Sequence, residues 1–155
     1  EVVRPVLSRL GSKILYAGPS GSGSVLKLIN QIVFAVVMEV NAEALVLARK
    51  AGIDPQLVLD VLAAGGAGML AMETRGPRII ARNFAPRFSL ANQYKDLTNA
   101  LAMAHDLGVP VPSAAAVHQI YQAARAQGKG PLDSCAVVTA LEAMANITIP
   151  DEGRS

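Results

Sequence analysis

Tryptophan is absent from this chain, cysteine occurs once and histidine twice, and each shortage closes off a class of function. A single thiol, Cys135, cannot build a disulfide framework. With no basic leader ahead of an apolar core and small-residue cleavage site, the expected compartment is a reducing cytoplasm. His105 and His118 stand without another ligand at metal-binding spacing, so no metal site is expected. The 14 basic and 12 acidic residues are scattered, leaving a formal charge of +2 and no run of Lys or Arg. Lacking both a basic patch and Trp for base stacking, the chain is not expected to bind nucleic acid. The apolar run from Ile32 to Met38 breaks at Glu39, short of the roughly 20 residues that cross a bilayer, so no membrane segment is expected either.

What is abundant is aliphatic. Hydrophobic residues make up 52% of the 155 positions and aromatics only 4%, a balance that suits close-packed helices and disfavours an all-β sandwich. The length fits one domain with its own core. The fold class read from the pattern is all-α.

Residues 1–10 form a short amphipathic segment with Val2, Val3, Val6 and Leu7 apolar, ended by Gly11. Lys13-Ile14-Leu15-Tyr16 then reads as a brief strand with no partner in the sequence that follows. A lone strand leaves its backbone groups unpaired, so residues 1–17 are expected to be the end of a sheet that begins before Glu1. A long helix is predicted from Ser24 to about Ala51, stopped by Gly52. Asp54 and Pro55 open a second, which runs to Gly65-Gly66. A third covers Met69 to Ala81, uneven around Gly76-Pro77 and ended by Asn83. Ser89 caps a fourth reaching Leu107, and Pro112-Ser113 begin a fifth that ends before Gly128. Asp133 caps a last helix with Val137, Val138, Leu141 and Met144 as its buried stripe, and residues from Ile147 are expected to be a loose tail.

The most informative stretch is Gly18 to Gln31, GPSGSGSVLKLINQ. A phosphate loop would need lysine directly after its last glycine, and three residues separate Gly23 from Lys27. A dinucleotide fingerprint fails at Leu26, where the third glycine belongs. The remaining reading is that the glycines let another backbone or a small ligand approach the helix start near Gly21. On the helix, Lys27 shares a face with Asn30 and Gln31, then with Phe34 and Met38, which places an ammonium and two amides in a partly dry crevice. Glu39, Glu43 and Lys50 are expected to point to water. Such a crevice suits a small carboxylate whose reacting oxygen lies near the ammonium, and the chemistry would be proton transfer. The plain alternative is a surface lysine with its stem on apolar neighbours.

Phe88, Asn92, Lys95 and Asn99 line one face of the fourth helix. Lys95 and Asp96 are adjacent, and adjacent helical residues do not face each other, so no ion pair is read between them. Cys135, near the start of the last helix, is either a thiol of lowered pKa or a small core filler. Ser20, Ser22 and Ser24 have no base nearby in sequence, so no Ser-His-Asp arrangement is visible.

Taken in order, these segments resemble the β-hydroxyacid dehydrogenase family, which includes 3-hydroxyisobutyrate dehydrogenase, tartronate semialdehyde reductase and, more distantly, 6-phosphogluconate dehydrogenase. GPSGSGSVLKLINQ is similar to the family's interdomain turn and catalytic-lysine helix. Asn83-Phe84 through Phe88 and Lys95-Asp96-Leu97 are similar to a second signature, and Gly65-Gly66-Ala67-Gly68 to the segment between. The resemblance implies a helical bundle like the 6-phosphogluconate dehydrogenase C-terminal domain with one long interdomain helix. Residues 1–17 would then be the remnant of a preceding Rossmann domain, 18–146 the helical domain and 147–155 a tail.

The resemblance also implies NAD or NADP, bound mainly by that other domain, a small β-hydroxy acid as substrate and a homodimer or higher homo-oligomer. Lys27 would be the catalytic lysine, a proton donor in reduction and a helper in proton removal in oxidation. By the same resemblance the substrate-binding amide would be Asn30 or Gln31, since many members carry Asn four residues after the lysine, where this chain has Gln31, and Asn30 lies three after. Gly21 would lie beside the substrate, and Lys95 and Phe88 beside the cofactor. Related imine reductases usually lack the lysine, which favours a hydroxyacid or aldehyde-acid substrate. Where many members have Gly-Ser, this chain has Gly68-Met69, which puts a thioether in place of a hydroxyl. The fragment alone is expected to be inert. A competing reading is a non-catalytic helical module whose long apolar helix serves to dimerise.

Overall fold

The computed structural model describes residues 3–149 and shows an all-helical bundle built around one central helix. A single turn of helix, α1 (Arg4–Leu7), is followed by an exposed, irregular connection and then by α2 (Ser22–Lys50). The remaining elements are α3 (Pro55–Ala64), α4 (Leu70–Ile80), α5 (Leu90–Asp106), α6 (Pro112–Ala126), a 3-10 turn (Ser134–Val137) and α7 (Val138–Ala145). Glu1 and Val2 of the amphipathic opening lie outside the described residues, as do residues 150–155 of the tail.

Local chemistry explains most of the boundaries. The Asp54 side chain accepts the Gln56 N–H at 2.9 Å and Pro55 occupies the first turn of α3. Ser89 accepts the Asn92 N–H at 3.2 Å at the start of α5. Gly52, Gly108 and Gly128 take φ of 77°, 67° and 78° just past α2, α5 and α6, the left-handed geometry that ends a helix most cheaply at glycine. The third helix stops differently from the reading above. Arg82, not Asn83, turns left-handed with φ 52°, and the Asn83 N–H reaches back to the Arg78 carbonyl at 2.8 Å. An arginine tolerates that backbone because its guanidinium is tied to Glu142 at 2.6 Å and to the Ile149 carbonyl at 2.9 Å, and lies over the Phe84 ring.

The same contacts correct the reading of the chain's end. Glu142 is buried and accepts the Ile149 N–H at 2.7 Å, and Ile149 is fully buried, so residues 147–149 are latched to the bundle. Met144 is 62% exposed and is not part of the buried stripe of α7; Val137 and Val138 are. The strand expected at 13–16 is absent too. Among the described residues the sole β contact is an isolated bridge between Ser89 and Asp133, and Leu15 and Tyr16 lie exposed. Without a neighbouring strand, an extended segment has no ladder to join.

Helix α2 separates and serves two cores. On one side Ala35 meets Leu90 and Leu97 of α5, Val117 and Tyr121 of α6 and Val137. On the other, Met38, Ala42 and Leu45 meet Leu59, Met72, Ile79, Val138 and Ile149. By length and composition α2 passes the test for a membrane-crossing helix, against the expectation from the Ile32–Met38 run, but it packs against α3 through α7 as the bundle's central helix. No residue of α2 before Ala35 is buried, so its first turns stand clear of the core with Leu26, Ile29 and Val33 exposed. Glu39 departs from expectation as well. It is buried rather than hydrated, while Glu43 and Lys50 are exposed as read. Burial, then the charge of Glu43 one turn on and a hydrogen bond with it, push the Glu39 carboxyl up to about 7.

Candidate active site

Lys27 sits where α2 leaves the bundle and crosses α5. Its ammonium forms a hydrogen-bonded ion pair with Oδ2 of Asp96 and lies 5.9 Å from the centre of the Phe88 ring. The Asp96 side chain is only 3% exposed, whereas that of Lys27 is 49% exposed. The carboxylate is thus a fixed, buried anchor, and the lysine head reaches from it toward open surface. Lys95 completes the arrangement with Nζ 3.2 Å from Asp96 Oδ1. Two ammonium groups therefore share one carboxylate, and the Lys95 side chain is mostly exposed.

Lys95 and Asp96 do pair, contrary to the adjacency argument, because the long lysine stem folds round to its neighbour's outer oxygen. The pairing that matters more, Lys27 with Asp96, joins residues 69 apart and is set by the packing of α2 on α5. Asp96 stands in the second signature, but sequence reasoning gave it no role of its own. Its only local signal was an acid in a face that is otherwise Leu90, Gln93, Leu97 and Ala100, all buried.

The two amides separate. Asn30 is exposed beside Lys27 on the helix face, and Gln31 is half-buried. The Gln31 carbonyl accepts a hydrogen bond from Gln93 Nε2 at 3.1 Å, a second tie between α2 and α5 close to the lysine. Gly21 caps α2 at φ 94° with open space where a side chain would begin, so the helix start is approachable from outside. Phe34 is partly buried with the Arg75 guanidinium over its ring, and Met38 is buried, as the stripe required.

The ammonium does not lie in a closed crevice. A cavity of about 740 Å³ opens between the end of α2 and α7, lined by Lys50, Thr139 and Asn146; a groove of about 660 Å³ follows Val40 to Leu47; and about 220 Å³ lies between α3 and α4. None of the three is lined by Lys27. Met69 lines the third of these and is the uncapped N-cap residue of α4. Cys135 is fully buried, and burial, with the Asp133 carboxylate beside it, pushes its thiol up to about 12, which makes it core. His118 stacks on Tyr94 at 4.4 Å and meets the Thr98 hydroxyl at 2.9 Å; burial and then the Arg125 charge lower its pKa.

A family model described as "NAD-binding of NADP-dependent 3-hydroxyisobutyrate dehydrogenase" matches residues 21–141, from the glycine turn into the first turn of α7. The chain belongs to this 3-hydroxyisobutyrate dehydrogenase family. It is 40% identical to 2-hydroxy-3-oxopropionate reductase of Escherichia coli over 94% of its own length and 50% of that protein's. It is 33% identical to 2-(hydroxymethyl)glutarate dehydrogenase of Eubacterium barkeri, over 96% of this chain and 50% of that one. A 3-hydroxyisobutyrate dehydrogenase from Mycobacterium tuberculosis, solved with L-serine, superposes with a TM-score of 0.82 at 33% identity, covering 90% of this chain and 50% of the other. One from Salmonella typhimurium gives 0.84 at 28%, covering 88% and 48%. The chain thus spans about half the length of the curated relatives it matches.

One end of a dinucleotide asks for an apolar wall and a cation, and the surroundings of Lys27 contain a group of each kind. The half-buried Phe88 ring offers a flat apolar wall, and the Lys95 ammonium is an exposed cation on the Asp96 carboxylate. The glycine turn at 18–23 is exposed and offers no enclosed cradle for a pyrophosphate.

Proposed function

We propose that this domain is the catalytic half of an NAD- or NADP-dependent oxidoreductase that interconverts a small β-hydroxy acid and its semialdehyde or keto form. The observation that carries the reading is the Lys27 ammonium, anchored on a buried carboxylate yet half open to whatever meets α2. Family membership and the relatives' named activities support the reaction class, and the half-length coverage supports a second, Rossmann-type domain that binds most of the dinucleotide. On this reading the helical domain alone is inert.

The dinucleotide, when bound, supplies or accepts the hydride. Lys27 acts as general acid, giving a proton from Nζ to the carbonyl oxygen in reduction and assisting proton removal from the alcohol in oxidation. Asp96 orients the ammonium by holding one of its N–H bonds, which leaves the others for the substrate oxygen. Asn30 or Gln31 hydrogen-bonds the substrate from the same helix face, and Gly21 allows its close approach. Phe88 and Lys95 face the cofactor. A docked second domain would exclude water from the exposed side of Lys27 and supply the missing wall of the crevice.

A second role rides on the same helix. Leu26, Val33, Val40 and Leu47 are exposed at seven-residue spacing along α2, which favours association into a homodimer or higher homo-oligomer alongside catalysis. A cytoplasmic enzyme is the simplest setting.

The test is consumption of NADH or NADPH by the chain joined to a dinucleotide-binding domain, offered a panel of small semialdehyde and keto acids. Turnover with at least one of them is expected. Tight dinucleotide binding with no turnover across the panel would contradict the enzymatic reading and leave the assembly role alone.

A further inference from the structure

The segment joining α4 to α5 has no regular structure of its own, yet its main chain is gripped along its length. The Phe84 carbonyl accepts the Asp133 N–H at 3.0 Å, and the Phe88 carbonyl accepts the Ser134 N–H at 2.9 Å. The Ala85 carbonyl is bound by Arg78 Nη2. Oδ2 of Asp133 accepts the N–H groups of Arg87 at 2.8 Å and Phe88 at 3.3 Å, and lies 3.4 Å from Arg78 Nη1. A fully buried carboxylate 46 residues along the chain therefore gathers the two amides that carry the ring next to Lys27.

We infer that Asp133, with Arg78 as its counter-charge, is a positioning residue for the Lys27 site: it fixes the Phe88 ring beside the ammonium and sets where α5 begins. The inference rests on the proposed function in treating that ring as a wall of the binding site. Burial alone would disfavour the Asp133 charge, but the bonds from Arg87, Cys135 and Phe88 outweigh it and hold the carboxyl below its ordinary range, so the clamp is charged at neutral pH. Ser89, the next residue after Phe88, caps α5, and Asp96 follows about two turns along that helix. The buried acid thus grips the ring's own main chain, while Asp96 is held by the Ser89-capped helix that follows.

A carboxylate is required by the count of acceptors. Oδ2 serves the α4–α5 segment, while Oδ1 accepts the Cys135 N–H of the 3-10 turn at 3.2 Å. An amide has one accepting oxygen and would have to abandon one side. If Asp133 merely capped the 3-10 turn, losing the Oδ2 bonds to Arg87 and Phe88 would leave the Phe88 ring and the Lys27 surroundings as they are.

Asp133→Asn and Arg78→Gln in this chain separate the two roles. Amide exchange and ring-to-side-chain contacts are read by NMR. In Asp133→Asn the Arg87 and Phe88 amides are expected to exchange about tenfold faster or more, and the Phe88–Lys27 proximity to vanish, with Leu97 and Tyr121 unchanged. Arg78→Gln keeps the carboxylate and should give a smaller change at the same amides, which decides the matter if Asp133→Asn fails to fold. In the chain joined to a dinucleotide-binding domain, Asp133→Asn should raise KM about tenfold and change kcat less than about threefold. Unchanged amides in both variants, uniform loosening of the whole core, or loosened amides with an unchanged KM would each overturn the inference. An inactive wild-type enzyme would instead sink the proposed function, and the ring and amide measurements would still decide the clamp.

Discussion

Lys27 on α2 and Asp96 on α5 meet as an ion pair in which the acid is buried and the lysine is half exposed. The asymmetry has a mechanical meaning: the buried partner cannot move, so it restricts the exposed one. A flexible four-carbon stem otherwise samples many rotamers, and proton transfer needs the nitrogen within hydrogen-bond reach of the reacting oxygen.

Asp96→Asn should therefore separate catalysis from stability. An exposed partner stays solvated when its counter-charge is removed, so the fold is expected to lose no more than about 1 kcal/mol in urea unfolding. Turnover by the assembled enzyme should fall about tenfold or more, because the ammonium loses its anchor. A large stability loss with unchanged turnover would make Asp96 a purely structural acid.

Glu39 makes the fold sensitive to pH. Its carboxyl lies at about 7 in the bundle against an ordinary value of 4.5, with Glu43 on the same helix and the buried Tyr121 phenol of α6 nearby. The folded chain holds a proton that the unfolded chain releases in that interval. The linked stability is complete below about pH 4.5 and is lost as pH rises through about 7. Glu39→Gln should flatten this slope in unfolding measured across the interval, and should stabilise the protein most at the alkaline end. An unchanged slope would place the titration elsewhere.

The Arg82–Glu142–Ile149 latch closes the second core. Glu142→Ala leaves the Ile149 N–H without its acceptor and the partly exposed Arg82 guanidinium without its counter-charge, though still bonded to the Ile149 carbonyl. The expected cost is about 2 kcal/mol in denaturant midpoint terms, with residues 147–149 becoming exchange-labile. Equal stability and undisturbed protection of Ile149 would show the latch to be incidental.

Local punctuation was legible in the sequence, and distant pairing was not. Asp54-Pro55, Ser89, Gly52 and Gly128 each state their role through a bond or a dihedral within a few residues, and all four act as read. The all-α class followed from composition and period for the same reason. Asp96, Asp133 and Glu142 acquire their meaning from partners 69, 46 and 60 residues away, and no local pattern distinguishes a buried acid with such a partner from a hydrated one. Glu39 shows the same limit, since α2 exposes Leu26, Val33, Val40 and Leu47 and buries this acid, so polarity along the helix does not mark the side that meets water. The Lys27 helix was found through its glycine turn and its resemblance. Its openness became visible only in three dimensions.

Single-turnover hydride transfer in the assembled enzyme, with dinucleotide affinity measured in parallel, tests the central role of Lys27 most directly. Lys27→Ala should slow the transfer step by about a hundredfold to ten-thousandfold while leaving dinucleotide affinity within about twofold. Transfer at the wild-type rate in Lys27→Ala would contradict the account.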